Sequence, residues 1–321
     1  MKRTSAIAAV TAAALALSLA ACGSADSAAA SSAPAESTAA STEAASPEAA
    51  PSEAAPAGDF DVDQDITVIS REDGSGTRGA FIELTGVEEK TADGKKVDNT
   101  TADAEIANKT DVVLTSVAGN EKAIGYISLG ALNDTVKAVK VDGAEATVDN
   151  VKAGAYKLSR PFNIATKGEP TGVAKDFISF ILSKEGQAVV TDNKYIAVND
   201  AAESFVSDGS SGQIAVGGSS SVSPVMEKLI EAYKSVNPNA SIDLQTSDST
   251  SGMTGAMDGT FAIGMASREL KDEEAAQLTG TAIALDGIAV IVNPANTIDE
   301  LSMDQIKSIY VGDITDWGDL A

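Results

Sequence analysis

Histidine is absent from all 321 residues, and that gap closes several routes to chemistry. Without an imidazole there is no Ser-His-Asp or Cys-His nucleophile pair and no His-based zinc centre. Cysteine is almost as scarce: Cys22 stands alone, so no internal disulfide can form. Basic residues are outnumbered, 23 Lys and Arg against 47 Asp and Glu, a formal net charge of −24. A field of that sign repels nucleic acid and anionic membrane surfaces. It still admits a small anion, because a pocket of backbone donors works locally against the overall field. Two enzyme signatures are missing as well. None of the Ser/Gly turns is a Gly-x-Ser-x-Gly elbow, and no Gly-Lys-Ser/Thr stands at P-loop spacing.

What the chain does have begins with a leader-like segment at 1–22. Lys2 and Arg3 precede a short apolar run, and Leu19-Ala20-Ala21-Cys22-Gly23 matches a lipobox, with Cys22 the residue to be acylated. The run is too short to span a bilayer comfortably. Residues 23–60 follow, of which 24–59 are almost entirely Ala, Ser, Pro, Glu and Thr. Such a composition cannot bury enough surface to offset its ordering entropy, so a disordered tether is expected.

The rest of the chain is organised around Ser70-Arg71-Glu72-Asp73-Gly74-Ser75-Gly76-Thr77-Arg78. The apolar run Ile66–Ile69 delivers it, and a helical pattern with Phe81 and Leu84 on one face follows, stopped by Gly86. Strand, Gly-rich turn and helix start together aim free backbone N–H groups and a positive helix end at one point. Ser75 and Thr77 add hydroxyls, and Arg71 adds a fork of charged donors. The sum is a pocket for a small tetrahedral oxyanion.

Further on, the pattern predicts a helix over 111–117 and strands over 123–128 and 136–141. An extended link at 156–162 precedes a single packed helix over 173–190. Residues 201–212 are a polar joint. The second half repeats the opening theme, with strand 213–216, turn Gly217–Ser221, and a helix capped by Ser223 with Pro224 in its first turn. A third Ser-rich turn, Ser247–Gly252, precedes another helix. A strand at 261–265 ends in Ala266-Ser267-Arg268, and an apolar region over 282–292 is interrupted by Asp286-Gly287. A helix over 303–310 closes the series. Alternating strands and helices imply an α/β fold with mostly parallel sheets, whose ligands sit beyond the carboxyl ends of the strands. Acidic groups such as Glu72 with Asp73, or Asp272-Glu273-Glu274, read as a turn flank and a solvated helix face. No catalytic constellation emerges, so a non-enzymatic binding role is expected, with neither cofactor nor metal.

Ser70–Arg78, Ala123–Ser128, Ser159-Arg160-Pro161-Phe162, Asp286–Val290 and Ile309-Tyr310 with Ile314–Trp317 together resemble the phosphate-binding lipoproteins of bacterial ABC phosphate importers. The likeness covers residues 66–205 and 213–321. It implies a two-lobed, type II periplasmic-binding-protein fold, with mixed, mostly parallel sheets flanked by helices and a hinge between lobes. The implied division is lobe A at 61–158 and 296–321 and lobe B at 159–295, with crossings near 156–162 and 293–298. The order of the halves is the reverse of the usual one, as in a circular permutant. A truncated tandem repeat or an error in the sequence is the competing account.

Carried over position by position, the resemblance implies phosphate contacts from Arg71, Ser75, Gly76, Thr77, Ser220, Ser221, Ser249 and Ser267. Asp73 would orient Arg71, and Arg268 would support the site. Ser267 stands where relatives carry an aspartate that accepts the phosphate proton, which leaves Asp73 or Asp286 as other candidates for that role. The implied partners are inorganic phosphate and the permease subunits. The protein would be a monomer on the outer face of the cytoplasmic membrane, anchored through lipid on Cys22. A surface lipoprotein that binds another oxyanion, or serves in sensing or adhesion without transport, is the alternative.

Overall fold

The computed structural model describes residues Phe60–Leu320. The expected leader with Cys22, and the tether apart from Phe60, lie outside the described residues.

The described chain opens with β1 (Thr67–Arg71), α1 (Gly76–Thr85), the hairpin β2 (Glu88–Lys90) and β3 (Lys96–Asp98), then β4 (Glu105–Ala107) and α2 (Thr110–Ala118). It continues through β5 (Ala123–Ser128), β6 (Lys137–Ala138), β7 (Lys140–Val141), α3 (Val148–Lys152) and β8 (Ser159–Thr166). Next come α4 (Gly172–Ile181), α5 (Lys184–Asp192), β9 (Gly212–Ser219), α6 (Ser223–Val236) and β10 (Ala240–Ser247). The last elements are α7 (Ser249–Asp258), β11 (Ile263–Ala266), α8 (Asp272–Ala275), β12 (Thr279–Val292), β13 (Glu300–Leu301) and α9 (Met303–Val311).

One sheet runs in the order β10-β9-β11-β8-β12-β5-β1-β4, with β6 beside β12. Its flanks are parallel, since β9 pairs with β10 and β11, and β1 with β4 and β5. Its centre, β11 to β8 to β12 to β5, is antiparallel. All six residues of β5 are buried, as expected of a strand covered on both faces.

Two large apolar cores lie along the sheet. The first gathers β1, α1, α2, β5 and α9 with Ile288–Val292 and Trp317. The second gathers Phe162, Ile164, α4, α6 and β9 with Ile283 and Ala284. A smaller cluster of Met253, Ala256, Ala266 and Leu278 lies under α7. The chain leaves the first core between Leu158 and Phe162. It returns inside β12, between Ala284 and Ile288, and not at the expected 293–298.

Other differences have local causes. The expected break at Asp286-Gly287 is an uninterrupted strand, because Asp286 is buried and pairs in register with Arg160, and Gly287 with Ser159. The single helix over 173–190 is two. Ser183 starts α5 by accepting from the N–H of Gly186, while its hydroxyl donates to the carbonyl of Phe180. On α6 the cap position is Val222, and the Ser223 hydroxyl donates instead to the Ser219 carbonyl. The strand expected at 136–141 is the two short pieces β6 and β7. On α1, Phe81 is fully buried but Leu84 is 39% exposed, since that helix packs through Phe81, Ile82 and Thr85. Gly86 does end it, at φ 74°.

Candidate functional site

Arg71 closes β1 and is 2% exposed. Glu72 grips it with both carboxylate oxygens, at 2.8 Å to Nε and 2.9 Å to Nη2. The Ala107 carbonyl also accepts from Nε, and the backbone N–H of Arg71 donates to Tyr126 Oη at 3.2 Å. That phenol bonds Ser70 Oγ and stacks on Phe81 at 3.9 Å between ring centres. The guanidinium is therefore fixed from its root outward. Nη2 reaches across to Ser220 Oγ at 3.1 Å, whereas Nη1 is buried with no partner.

Beyond Ser220 the guanidinium meets a linked set of hydroxyls from both halves of the sequence. Thr77 Oγ1 and Ser221 Oγ are 2.8 Å apart, and Thr110 Oγ1 lies 3.2 Å from Ser221 and 3.5 Å from Ser220. Ser249 Oγ accepts from the N–H of Ser267, and Ser219 Oγ donates to Ser267 Oγ at 2.9 Å. Gly76, the first residue of α1, packs against this second group. A Cβ on it would run into Ser249 Oγ and lie 2.7 Å from Ser267 Oγ. Gly74 (φ +88°) turns the chain so that its carbonyl accepts from the N–H of Thr250 at 3.1 Å. Thr77, Ser221, Ser249 and Ser267 are all at most 1% exposed. The N-termini of α1, α2 and α7 begin at Gly76, Thr110 and Ser249, so their unbonded N–H groups and dipoles favour negative charge here.

The structure thus brings together Arg71, Gly76, Thr77, Ser220, Ser221, Ser249 and Ser267. Ser75 is buried beside them, its hydroxyl accepting from the N–H of Arg78 at 3.3 Å. The expected role of Asp73 is corrected. Its side chain is fully exposed at the turn and comes only within 3.6 Å of Arg78, because the chain has already left β1; the residue that orients Arg71 is Glu72. Arg268 stands one step back, holding Thr250 Oγ1 and paired through both terminal nitrogens with Glu274. Glu274 is accordingly 3% exposed and not part of a solvated face. Thr110 and Tyr126 went unrecognised in the sequence. Thr110 carries a helix-start signal only in retrospect, since Lys109 at its cap position makes no side-chain capping bond.

Behind the site, Arg160 and Asp286 form an ion pair at 3.2 Å, with side chains 2% and 0% exposed. Ser128 donates to Asp286 at 2.9 Å. Burial pushes the Asp286 carboxyl up to about 6 and pulls the Arg160 guanidinium down. Among the described residues no cluster of three or more His, Cys, Asp or Glu could hold a metal.

Two cores joined by paired strands, with helix N-termini and hydroxyls converging on a buried guanidinium, define a solute-binding protein of the periplasmic-binding-protein class. A family model described as the PBP superfamily domain matches residues 52–185 and 204–321. Phosphate-binding protein PstS 2 of Streptococcus agalactiae is 53% identical over 258 residues, covering 80% of this chain and 88% of that protein. The crystal structure of a phosphate ABC transporter, phosphate-binding protein from Streptococcus pneumoniae TIGR4 is 50% identical, with a TM-score of 0.65 over 80% of this chain and 100% of that one. The chain belongs to the family of phosphate-binding PstS proteins within the PBP superfamily.

The same comparisons bear on the order of the halves. A match of 258 residues is longer than either 66–205 or 213–321, so it runs through the joint, and the S. agalactiae relative has the same order. An error in the sequence does not explain that. The PstS of Bacillus subtilis, in contrast, is 34% identical over 140 residues, 43% of each chain. That is the length of one half, as reversed order predicts for a collinear match.

Proposed function

We infer that this protein captures inorganic phosphate outside the cytoplasm and delivers it to the permease of an ABC importer. It is a solute-binding protein and not an enzyme. One observation carries the reading: Nη1 of Arg71 is a buried, charged donor without a partner, on a guanidinium whose Nη2 joins the linked hydroxyls of Ser220, Thr110, Ser221 and Thr77, with α1 and α7 starting beside them at Gly76 and Ser249. A tetrahedral oxyanion satisfies such a donor set with charge-assisted bonds. The first core is then lobe A and the second lobe B, closing about the crossings near Ser159 and Asp286. The lipobox supports an anchor on Cys22, and the acidic composition supports a monomer that stays clear of nucleic acid. Arg71, Ser75, Gly76, Thr77, Ser220, Ser221, Ser249 and Ser267 are the proposed ligand contacts.

The test is a titration of the purified protein with phosphate followed by calorimetry and thermal melting. A ligand that binds only the folded state adds about 2.7 kcal/mol at a hundred times its Kd. Absence of both binding heat and melting shift at millimolar phosphate overturns the reading.

A further inference from the structure

The Arg160–Asp286 pair has no task in the site as described, yet it is the most electrically unfinished place in the described chain. The two residues are register partners on β8 and β12, at the point where both strands pass from one core to the other. Every neighbouring element contributes something. Ser128, at the end of β5, donates to Asp286 Oδ1, and the N–H of Gly130 also favours the ionised carboxylate. Tyr195, just after α5, packs its ring against Gly130 and against Phe162 at 5.4 Å. Arg160 itself lies over the Phe162 ring, 5.4 Å from its centre. From β1, Arg71 stands near enough to repel Arg160. Three polar atoms of the cluster, Arg160 Nε, Arg160 Nη1 and Tyr195 Oη, are buried without partners.

A buried ion pair with unmet donors is costly to keep, and burying two guanidiniums near one another adds to the cost. The charges of Arg71, Glu72, Arg160 and Asp286 sum to zero. An anion arriving at Arg71 makes that sum negative in a site of low dielectric. Of the four groups, Glu72 is held by two short bonds to Arg71, whereas Asp286 has a single longer contact to its guanidinium.

We propose that Arg160 is a second cation of the anion site, held in check by Asp286, and that Asp286 releases it by taking up a proton from solvent when the anion binds. This rests on the phosphate reading above. The proton moves from water to the carboxylate, no bond to the ligand forms, and Arg160 is left as an uncompensated positive charge beside Arg71. Burial already brings the Asp286 carboxyl to about 6, so the added negative charge acts on a group close to neutral pH. Tyr195 does not compete for the proton, because burial pushes its phenol well above the ordinary range.

The experiment is calorimetry of phosphate binding in pairs of buffers with different ionisation heats, which counts protons exchanged, between pH 5.5 and 8. Phosphate exchanges protons itself, so the count is read as a difference between proteins. The Arg160→Gln/Asp286→Asn variant, which removes both charges together, should take up about half a proton less than wild type near pH 6.5 and the same number at pH 8. Ser128→Ala, which removes a bond that favours the ionised carboxylate, should move the window of proton uptake to higher pH. That second variant serves if the first does not fold. Equal proton counts at every pH in wild type and in Ser128→Ala, with binding heat present, overturn this inference alone. No binding heat in wild type overturns the phosphate reading.

Discussion

Thr77 Oγ1 and Ser221 Oγ lie 2.8 Å apart across 144 positions of sequence, the first on α1 of the first core and the second just after β9 of the second. Two Ser/Gly turns from opposite halves of the chain therefore meet in one place. The pair is a direct link between the cores, and its strength is measurable. In a double-mutant cycle of Thr77→Val and Ser221→Ala, denaturant unfolding of the free protein should show a coupling of about 0.5–1.5 kcal/mol. Strictly additive effects would mean that the two hydroxyls do not meet in solution.

Arg71 should dominate phosphate affinity. Arg71→Met removes a buried charge that faces the anion and should weaken binding by about 2–5 kcal/mol. Lysine in its place recovers only part, since it lacks the planar fork. Its neighbours separate two roles. Glu72→Asp keeps the charge but shortens the reach, so the grip on both Nε and Nη2 is lost and affinity falls by about 1–2 kcal/mol. Asp73→Asn, at an exposed turn, should leave the titration curve unchanged; a loss equal to that of Glu72→Asp restores Asp73 as the orienting group.

Gly76 is a test of close approach. The residue is the first of α1, so alanine there gains less than the roughly 1 kcal/mol it would bring to a helix interior. Its methyl, however, collides with Ser249 at the start of α7 and Ser267 just after β11. Overpacking of that kind costs about 1–3 kcal/mol. That cost exceeds any helix gain, so Gly76→Ala should melt earlier than wild type in the absence of ligand. With Ser249 and Ser267 displaced, it should bind phosphate roughly ten to a hundred times more weakly. Normal affinity in calorimetry would show that the two turns do not close on one another.

Much of this was legible because turns and helix starts are local. Ser70–Arg78 announces its own geometry through Gly74, Ser75 and Gly76, and Gly86 marks the helix end whatever lies around it. What escaped depended on distant partners. Asp286-Gly287 reads as a turn until Arg160 and Ser159 are seen opposite, and then it is plain strand. Glu72 and Asp73 are interchangeable on paper; only the point at which β1 ends decides which carboxylate faces Arg71. Nothing in their own stretches marks Thr110 or Tyr126 as part of the site, since each matters through a distant partner, Ser221 after β9 and Arg71 on β1. The register of β8 against β12 likewise fixes where the chain changes cores, and no periodicity within either strand encodes it.

The joint at 201–211, where the two halves meet in sequence, is held by two carboxylates: Glu185 accepts from the N–H of Phe205 at 2.7 Å, and Asp176 holds the next stretch and yields the last prediction. Asp176 on α4 accepts from Ser207 Oγ at 2.8 Å and the N–H of Asp208 at 2.9 Å, both in the joint. From the other side it accepts from Tyr233 Oη at 2.7 Å and Asn237 Nδ2 at 3.1 Å. Phe205 adds an edge-on contact with Phe180 at 5.3 Å. Burial acts to raise the Asp176 carboxyl, but the bonds from Asp208, Tyr233, Ser207 and Asn237 outweigh it and hold the group below the usual aspartate range. A depressed value means that the clasp stabilises the fold fully above the ordinary aspartate pKa and loses that contribution as pH falls through the folded value. Asp176→Ala should cost about 1.5–3 kcal/mol at neutral pH, with the deficit shrinking on acidification. Freed of its clasp, the joint should be nicked by protease within 201–211 several times faster than in wild type. Phosphate affinity should hold, because none of the proposed ligand contacts touches the joint. Equal proteolysis of the two proteins, or a deficit that grows in acid, would place the anchor of the joint elsewhere.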